Sequence, residues 1–465
     1  MAEKLIFLTG RLARPRLERL LTELGETEFA WEIIDTGVKI AALMTEEIIK
    51  RRVTLPDGAS RVILPGRFRG EPERLAAHFG VPFQHGPDEI ADLPPFLGRE
   101  GRPPDLSRHD LRIFAEIVDA AALDVEAIVE RAGGLAAAGA DVIDLGCLPD
   151  TPFPHLGDAV RELKARGLTV SVDSADVAEL RTGADAGADY LLSLTEDTLS
   201  LARDYPVTPV LISAVPGDLS SLDRAIEAAE KDGIRFIADP VLDPIHFGFT
   251  QSLERFAETR RRWPQAELLM GTGNLTELTD ADSAGVTAML LGLCSELSIS
   301  SVLVVHVSPH TAKTVEEHDL ARRIMFAARN DGALPRDYHP GLLQVHDRKP
   351  FPASSEDIAA LAEEVRDANF RIMTAPDGIH IFSSKGHFVA QDAFELFPKL
   401  GVEADGAHAF YLGAELMKAE IAWRLGKRYV QDEPLAWGVA APAPEEDRTR
   451  LAEAGHTLRA KERDK

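Results

Sequence analysis

Eight apolar, strand-like runs recur between Leu111 and Val305 at intervals of about 25 residues, and most end on a polar side chain. They read Leu111–Ile117, Asp141–Leu145, Leu168–Val172, Asp189–Leu192, Thr208–Ile212, Ile234–Ala238, Glu267–Met270 and Ser301–Val305. Between them lie stretches such as Val125–Ala138 and Ala175–Ala186, with Leu, Val and Ala at the three- and four-residue spacing of a surface helix. Buried parallel strands alternating with helices eight times over predict an α/β fold, a (β/α)8 TIM barrel. Barrel active sites form where the strands end, so the residues there matter most. In order they are Asp119, Gly146, Asp173, Ser193, Ser213, Asp239, Asn274 and His306. A ring of Asp, Asn, Ser and His without Lys or Arg suits a neutral, donor-rich heterocycle better than a bare anion.

A chain of 465 residues exceeds one barrel of about 250, so flanking domains are expected. Residues 1–100 read as a small α/β domain, with strands at Lys4–Leu8, Glu32–Thr36 and Arg61–Pro65 and a helix at Arg14–Leu24. The Pro- and Gly-rich run Asp92–Asp105 marks its end. The barrel is assigned to 101–330 and a C-terminal α+β domain to 331–440. That domain should hold a helix at Ser355–Asp367, a hairpin around Asp377-Gly378 and a helix at Ala407–Leu425. Residues 441–465, rich in Ala, Pro and Glu and then charged, read as a disordered tail.

A net charge of −25 argues against nucleic acid or an anionic membrane as partner. Cys147 and Cys294 both lie in apolar surroundings and read as buried, reduced thiols. Met1–Gly10 is followed by Arg11, Arg14, Arg16 and Arg19 without a cleavage pattern, and the apolar stretch Ala284–Val307 is broken by Glu296 and serines. The expectation is a cytoplasmic protein.

Three segments share a cadence: Ala138–Gly146, Val170–Ser174 and Ala186–Ser193. The repeated Ala-Gly-Ala-Asp reads as structural, the Gly ending a helix before the chain returns to the sheet. Asp144 and Asp173 differ, because each lies at the far end of a strand. Either they cap the helices that follow, or their carboxylates face the pocket. There a carboxylate accepts two parallel hydrogen bonds from an N–H and an amino group on one ring edge, as a 2-amino-4-oxopteridine presents them.

The order of these segments resembles the pterin-binding barrel family, which holds dihydropteroate synthases and pterin-dependent corrinoid methyltransferases. Ala-Gly-Ala-Asp-Val-Ile-Asp-Leu-Gly resembles the second strand, Val-Ser-Val-Asp-Ser the third and Ala-Gly-Ala-Asp-Tyr-Leu-Leu-Ser the fourth. Ala238-Asp239-Pro240, Met270–Asn274 and Val305-His306-Val307 resemble the ends of strands six, seven and eight. The resemblance implies that Asp173, Ser193 and Asp239 grip the pterin ring, with Asp144, Asn274 and His306 around it. Asp119, in the place of a first-strand Asn, would help hold Mg²⁺ with the substrate diphosphate.

The departures concern cations. The loop after strand two is Cys147-Leu148-Pro149-Asp150-Thr151-Pro152, where a synthase has Ser-Thr-Arg-Pro. The strand-seven Lys is absent and the strand-eight Arg is Val304. The whole chain resembles the dihydropteroate synthase-related proteins of organisms that use tetrahydromethanopterin. The carrying segments are Phe7–Leu12 and Leu64–Gly70 at the N-terminus and His408–Leu416 and Lys427–Asp432 at the C-terminus. That resemblance implies a transferase joining a dihydropterin methyl diphosphate to a ribosylated aryl amine, and a homodimer. The missing cations would come from Arg11, Arg67 and Arg69, from Arg348-Lys349 or from Lys385, one cluster closing over the barrel mouth. The alternatives are a pterin-dependent methyltransferase and a non-catalytic pterin carrier.

Overall fold

The computed structural model describes residues 3–99, 104–149, 151–347 and 349–441. It divides into two compact units, 1–339 and 340–465. The proposed tail lies outside the described residues from 442 onward, as does Arg348. No helix among the described residues is long and apolar enough to cross a membrane.

The first unit opens with a parallel sheet of β1 (Glu3–Thr9), β2 (Phe29–Asp35), β3 (Arg61–Leu64) and β4 (Phe83–His85), in the order β2-β1-β3-β4. The run Leu5–Leu8 is apolar at every position because β1 is covered on both faces. Ile6 and Leu8 pack into one cluster, Leu5 and Phe7 into another. Three residues of β4 are too few to show a period, which is why the sequence does not announce that strand.

Eight strands then close the barrel: β5 (Arg112–Ile117), β6 (Val142–Gly146), β7 (Val170–Asp173), β8 (Tyr190–Leu194), β9 (Thr208–Leu211), β10 (Ile237–Ala238), β11 (Glu267–Gly271) and β12 (Ser301–Val305). β12 returns to pair with β5, Val302 opposite Ile113, and the fold expected from the rhythm of the sequence is the one observed. The Ala-Gly-Ala-Asp repeats lie where strands begin. Gly139 and Gly187 turn the chain at φ 117° and 97°, and Asp141 and Asp189 accept the Ile113 and Val170 N–H groups at 2.8 Å.

The helix Thr314–Asn330 closes the unit and ends beside these strand starts. Arg322 donates to the Leu111 carbonyl at 2.7 Å and pairs with Asp141, and Arg329 pairs with Asp110. Asp331, the next residue, holds Arg16 of the N-terminal region at 3.1 Å. The N-terminal sheet therefore meets the barrel at the end opposite its mouth.

The second unit has a three-stranded antiparallel sheet, β13 (Arg371–Ala375), β14 (Gly378–Ser383) and β15 (Gly386–Ala390). The hairpin at Asp377-Gly378 is as the sequence predicts, while β15 and the helix Ala393–Leu400 extend it. The helix Gly406–Leu425 packs Leu412, Leu416 and Ala419 against Ile372, Ile379 and Ile381.

Candidate functional site

Register decides what the barrel puts inside. Phe114 of β5 lies opposite Val142 of β6, and both belong to the apolar interior with Leu192, Val210, Ile237 and Leu269. Two residues further along, on the same face, Glu116 lies opposite Asp144, and Asp144 opposite Ser171. Two further again, Gly146 lies opposite Asp173. The interior thus changes from hydrocarbon to carboxylate within one turn of side chains. Above that layer opens a cavity of about 520 Å³ whose lining includes Glu116, Asp173, Ser193, Thr195 and Ser213. Its described lining holds no Lys or Arg.

Each carboxylate has a local reason for its position. Asp144 is fully buried and accepts the Ser171 hydroxyl on one oxygen, while its Oδ2 has no hydrogen-bond partner. Asp173 Oδ1 accepts the Ser193 hydroxyl at 2.5 Å. Ser193 sits at φ 63°, inside the register shift between Leu191 and Leu194 that bends β8. Asp239 accepts the Val241 N–H at 2.8 Å. Val241 is a β-branched residue at φ 66°, a conformation such residues avoid, and Arg255 holds the loop there. The Arg255 guanidinium donates to the Pro240 and Val241 carbonyls at 3.1 and 2.8 Å and to Asp243 Oδ2 at 2.6 Å. Backbone strain gathers at two of the four carboxylates, as it does where a site must be held in one shape.

Neither Asp144 nor Asp173 caps a helix. The following helices start at Leu156, after His155, and at Val177, where Asp176 caps the Ala178 N–H at 2.7 Å. Burial raises the pKa of all four carboxyls. Glu116 and Asp239 are each pushed up to about 7 by burial, with the charge of Asp173 adding to it. Asp144 is raised by burial, then by Asp173 and Glu116, against the Ser171 hydrogen bond. Asp173 is raised by burial and held back by Ser193. With like charges this close and dry, the cluster holds protons at neutral pH that ordinary carboxylates have lost.

The remaining candidates lie elsewhere. Asp119 is exposed on the loop after β5 and paired with Arg131. Among the described residues no group of three His, Cys, Asp or Glu side chains has the spacing of a metal site. Asn274 is exposed and donates to the Leu242 carbonyl at 2.7 Å, tying the β11 loop to the loop after Asp239. His306 is exposed just beyond β12, before a turn that Glu277 fixes by accepting the Val307 N–H at 2.6 Å. Arg67 lines a different cavity, beside the N-terminal sheet, and donates to Glu89 at 2.5 Å, while Arg69 is exposed on the same loop. Because that sheet meets the barrel at the strand starts, this pair does not close over the mouth. Cys147 lines the barrel cavity, but burial and then Glu179 push its thiol far above the usual range, so it is no nucleophile.

Glu116 is the member that the strand-end reading passes over. The signal was there: once Phe114 faces inward, a two-residue period puts Glu116 inward as well.

A family model described as a family of unknown function (DUF6513) matches residues 3–88. An uncharacterized protein of Methanocaldococcus jannaschii is 28% identical over 368 residues, 69% of this chain and 69% of that protein. Among solved structures, the chain is similar to a dihydropteroate synthase from Xanthomonas albilineans in complex with 7,8-dihydropteroate. That likeness has 22% identity and a TM-score of 0.38, over 48% of this chain and 94% of the other. A dihydropteroate synthase of Coxiella burnetii in complex with pteroic acid is similar at 16% identity and TM-score 0.39, over 47% and 94%.

Proposed function

We propose that the barrel mouth binds a dihydropterin and that the protein is a dihydropteroate synthase-like transferase, forming a C–N bond between a pterin methylene and an aryl amine. The observation that supports this most is the stacked carboxylate set, Asp173 with Ser193 above and Asp144 with Glu116 below, in a mouth whose described lining holds no Lys or Arg. The 2-amino-4-oxopteridine edge offers adjacent N–H and NH₂ donors, and a buried carboxylate takes both at once. Asp173 and Glu116 both line the cavity, and Asp173, at the strand end and already fixed by the Ser193 hydroxyl, is the acceptor in this reading. Asp239, held by the Val241 N–H and the clamped loop, adds a further carboxylate at the end of β10 and in this reading helps to orient the ring.

In the reaction the methylene–oxygen bond of the pterin methyl diphosphate breaks, the electron pair leaving with diphosphate. The amine nitrogen then bonds to that carbon and gives up one proton. Glu116 and Asp239, with pKa values of about 7, are suited to receive it. The chain supplies positioning and electrostatics rather than a covalent nucleophile. The Mg²⁺ that the resemblance implies, held by Asp119 together with the substrate diphosphate, belongs to this proposal, and it would supply charge for the leaving diphosphate. The tetrahydromethanopterin context, the ribosylated amine and the homodimer belong to this proposal on the strength of the sequence resemblance alone, and the cytoplasmic location on the reading of the sequence.

A second reading, a pterin-dependent methyltransferase or a pterin carrier, is favoured by one observation: the described lining offers no Lys or Arg to a leaving diphosphate. Calorimetric titration with dihydropterin and with dihydropterin methyl diphosphate, each with and without a ribosylated aniline phosphate, separates the two. Diphosphate release that requires the amine supports the transferase. Equal affinity for both pterins without release turns the assignment to the carrier or methyltransferase.

A further inference from the structure

We propose that the N-terminal sheet carries a second ligand site, for a nucleotide-sized phosphate ester with an apolar or aromatic body. The β2-β1-β3-β4 order places β2 on one side of β1 and β3 on the other, so the connections leave β1 and β3 in opposite directions. In open parallel sheets a crevice opens at such a point, beyond the strand ends, and ligands bind there. A cavity of about 370 Å³ lies at this place, within the size range of small-molecule sites. Its floor is apolar, from Phe7, Leu17, Ile63 and Leu93, and its polar lining carries Lys39, Arg67 and Arg336 beside Asp88, Glu89 and Asp337.

Two features of this cavity favour an anion. The helix Arg14–Glu23 begins at its wall, with Ala13 as an N-cap that offers no side-chain acceptor and no acidic residue in the first turn. Arg14 and Arg16 occupy that turn instead, adding positive charge where the helix dipole is already positive. Arg16 itself lines the cavity at 8% exposure. Its charge is met by Asp331, which takes its Nη1 at 3.1 Å. On the rim, Arg67 and Arg336 converge on one oxygen of Glu89, at 2.5 and 2.8 Å, so two guanidinium groups share one carboxylate oxygen.

The loops that form the crevice are built for close approach. A Cβ on Gly66 would fall 2.5 Å from the Pro87 backbone, which lets the loops after β3 and β4 press together behind the ligand position. The apolar floor and charged rim divide the cavity in the way a nucleoside monophosphate divides itself.

Calorimetry on the full chain with AMP, adenosine and inorganic phosphate tests this site. AMP should bind once per chain, and adenosine and phosphate at least tenfold more weakly. The double variant Lys39→Ala, Arg67→Ala truncates two exposed side chains and leaves Arg336 on Glu89, so folding is kept. It should weaken AMP at least tenfold, and Leu12→Trp, filling the cavity, should abolish binding. Asp173→Asn should leave AMP binding unchanged, which keeps this site distinct from the barrel mouth and its failure distinct from that of the pterin reading. No AMP binding at millimolar concentration overturns the proposal. So does binding lost only in Asp173→Asn, or unaffected by both the double variant and Leu12→Trp. Phosphate or adenosine binding as tightly as AMP overturns the two-part recognition.

Discussion

Ser193 gives its hydroxyl proton to Asp173 across 2.5 Å from a backbone held at φ 63°, a conformation that costs a non-glycine residue stability. The strain and the hydrogen bond belong together, because the register shift in β8 is what turns the Ser193 side chain toward β7. Replacing Asp173 by Asn removes the two-acceptor edge. Pterin affinity should fall by about 1–3 kcal/mol, since a donor on the ligand is then left facing another donor. Ser193→Gly should raise the thermal midpoint, Gly being at ease at positive φ, while weakening pterin binding. A loss of both stability and affinity in Ser193→Gly would remove the link between strain and site.

Gly146 stands opposite Asp173 in a place where an added Cβ would overlap Glu116 Oε1. Gly146→Ala should therefore push Glu116 out of its layer. We expect about 1–3 kcal/mol of destabilisation from overpacking, measured by denaturant unfolding, together with weaker pterin binding. Unchanged stability would mean that Glu116 has room to move and is not fixed against β6.

The barrel was legible because eight buried strands leave eight apolar runs, and the polar residue ending each run names a position at the mouth. Asp144, Asp173, Ser193 and Asp239 could be read that way. Asp119, Asn274 and His306, like Asp239, stand one or more residues beyond the paired strand, where chain direction is set by loop contacts: the Val241 N–H holds Asp239, while Asn274 turns to the Leu242 carbonyl. Sequence spacing cannot see those contacts. Glu116 fails the pattern for the opposite reason, since it lies inside a strand whose face is known only once Phe114 is placed. The position of Arg67 depended on which end of the barrel the N-terminal sheet meets, and the pairings of Arg16 and Arg19 with Asp331 and of Arg336 with Glu89 decide it.

The raised carboxyls predict a pH dependence of stability. Glu116 and Asp239 hold protons in the folded protein up to about pH 7, whereas in the unfolded chain they lose them near 4. Protons bound more tightly by the folded state stabilise it at low pH. That contribution is complete below about pH 4 and is lost as pH rises through about 7. The thermal midpoint of the ligand-free protein should therefore decline between pH 5 and 8. Glu116→Gln and Asp239→Asn should each flatten the decline, and a midpoint rising across this window in the parent protein would contradict the assignment.

Arg255 should act on the site without touching the ligand. Its guanidinium bonds two carbonyls and one carboxylate of the loop that keeps Val241 at φ 66°, and the Val241 N–H in turn holds Asp239. Both that hydrogen bond and the Arg255 charge lower the Asp239 pKa against the effect of burial. Arg255→Ala removes the charge and frees Val241 to relax, so the Asp239 carboxyl should titrate higher than in the parent. Arg255→Lys keeps the charge but cannot span three acceptors from one planar group, so its shift should be smaller while pterin affinity still drops. Carboxyl ¹³C titration of Asp239 in the three proteins reads this directly. A residue serving stability alone would lower the unfolding midpoint and leave the titration where it was. An upward shift in Arg255→Ala, partly reversed in Arg255→Lys, identifies Arg255 as the group that sets the protonation of Asp239 through the loop it clamps.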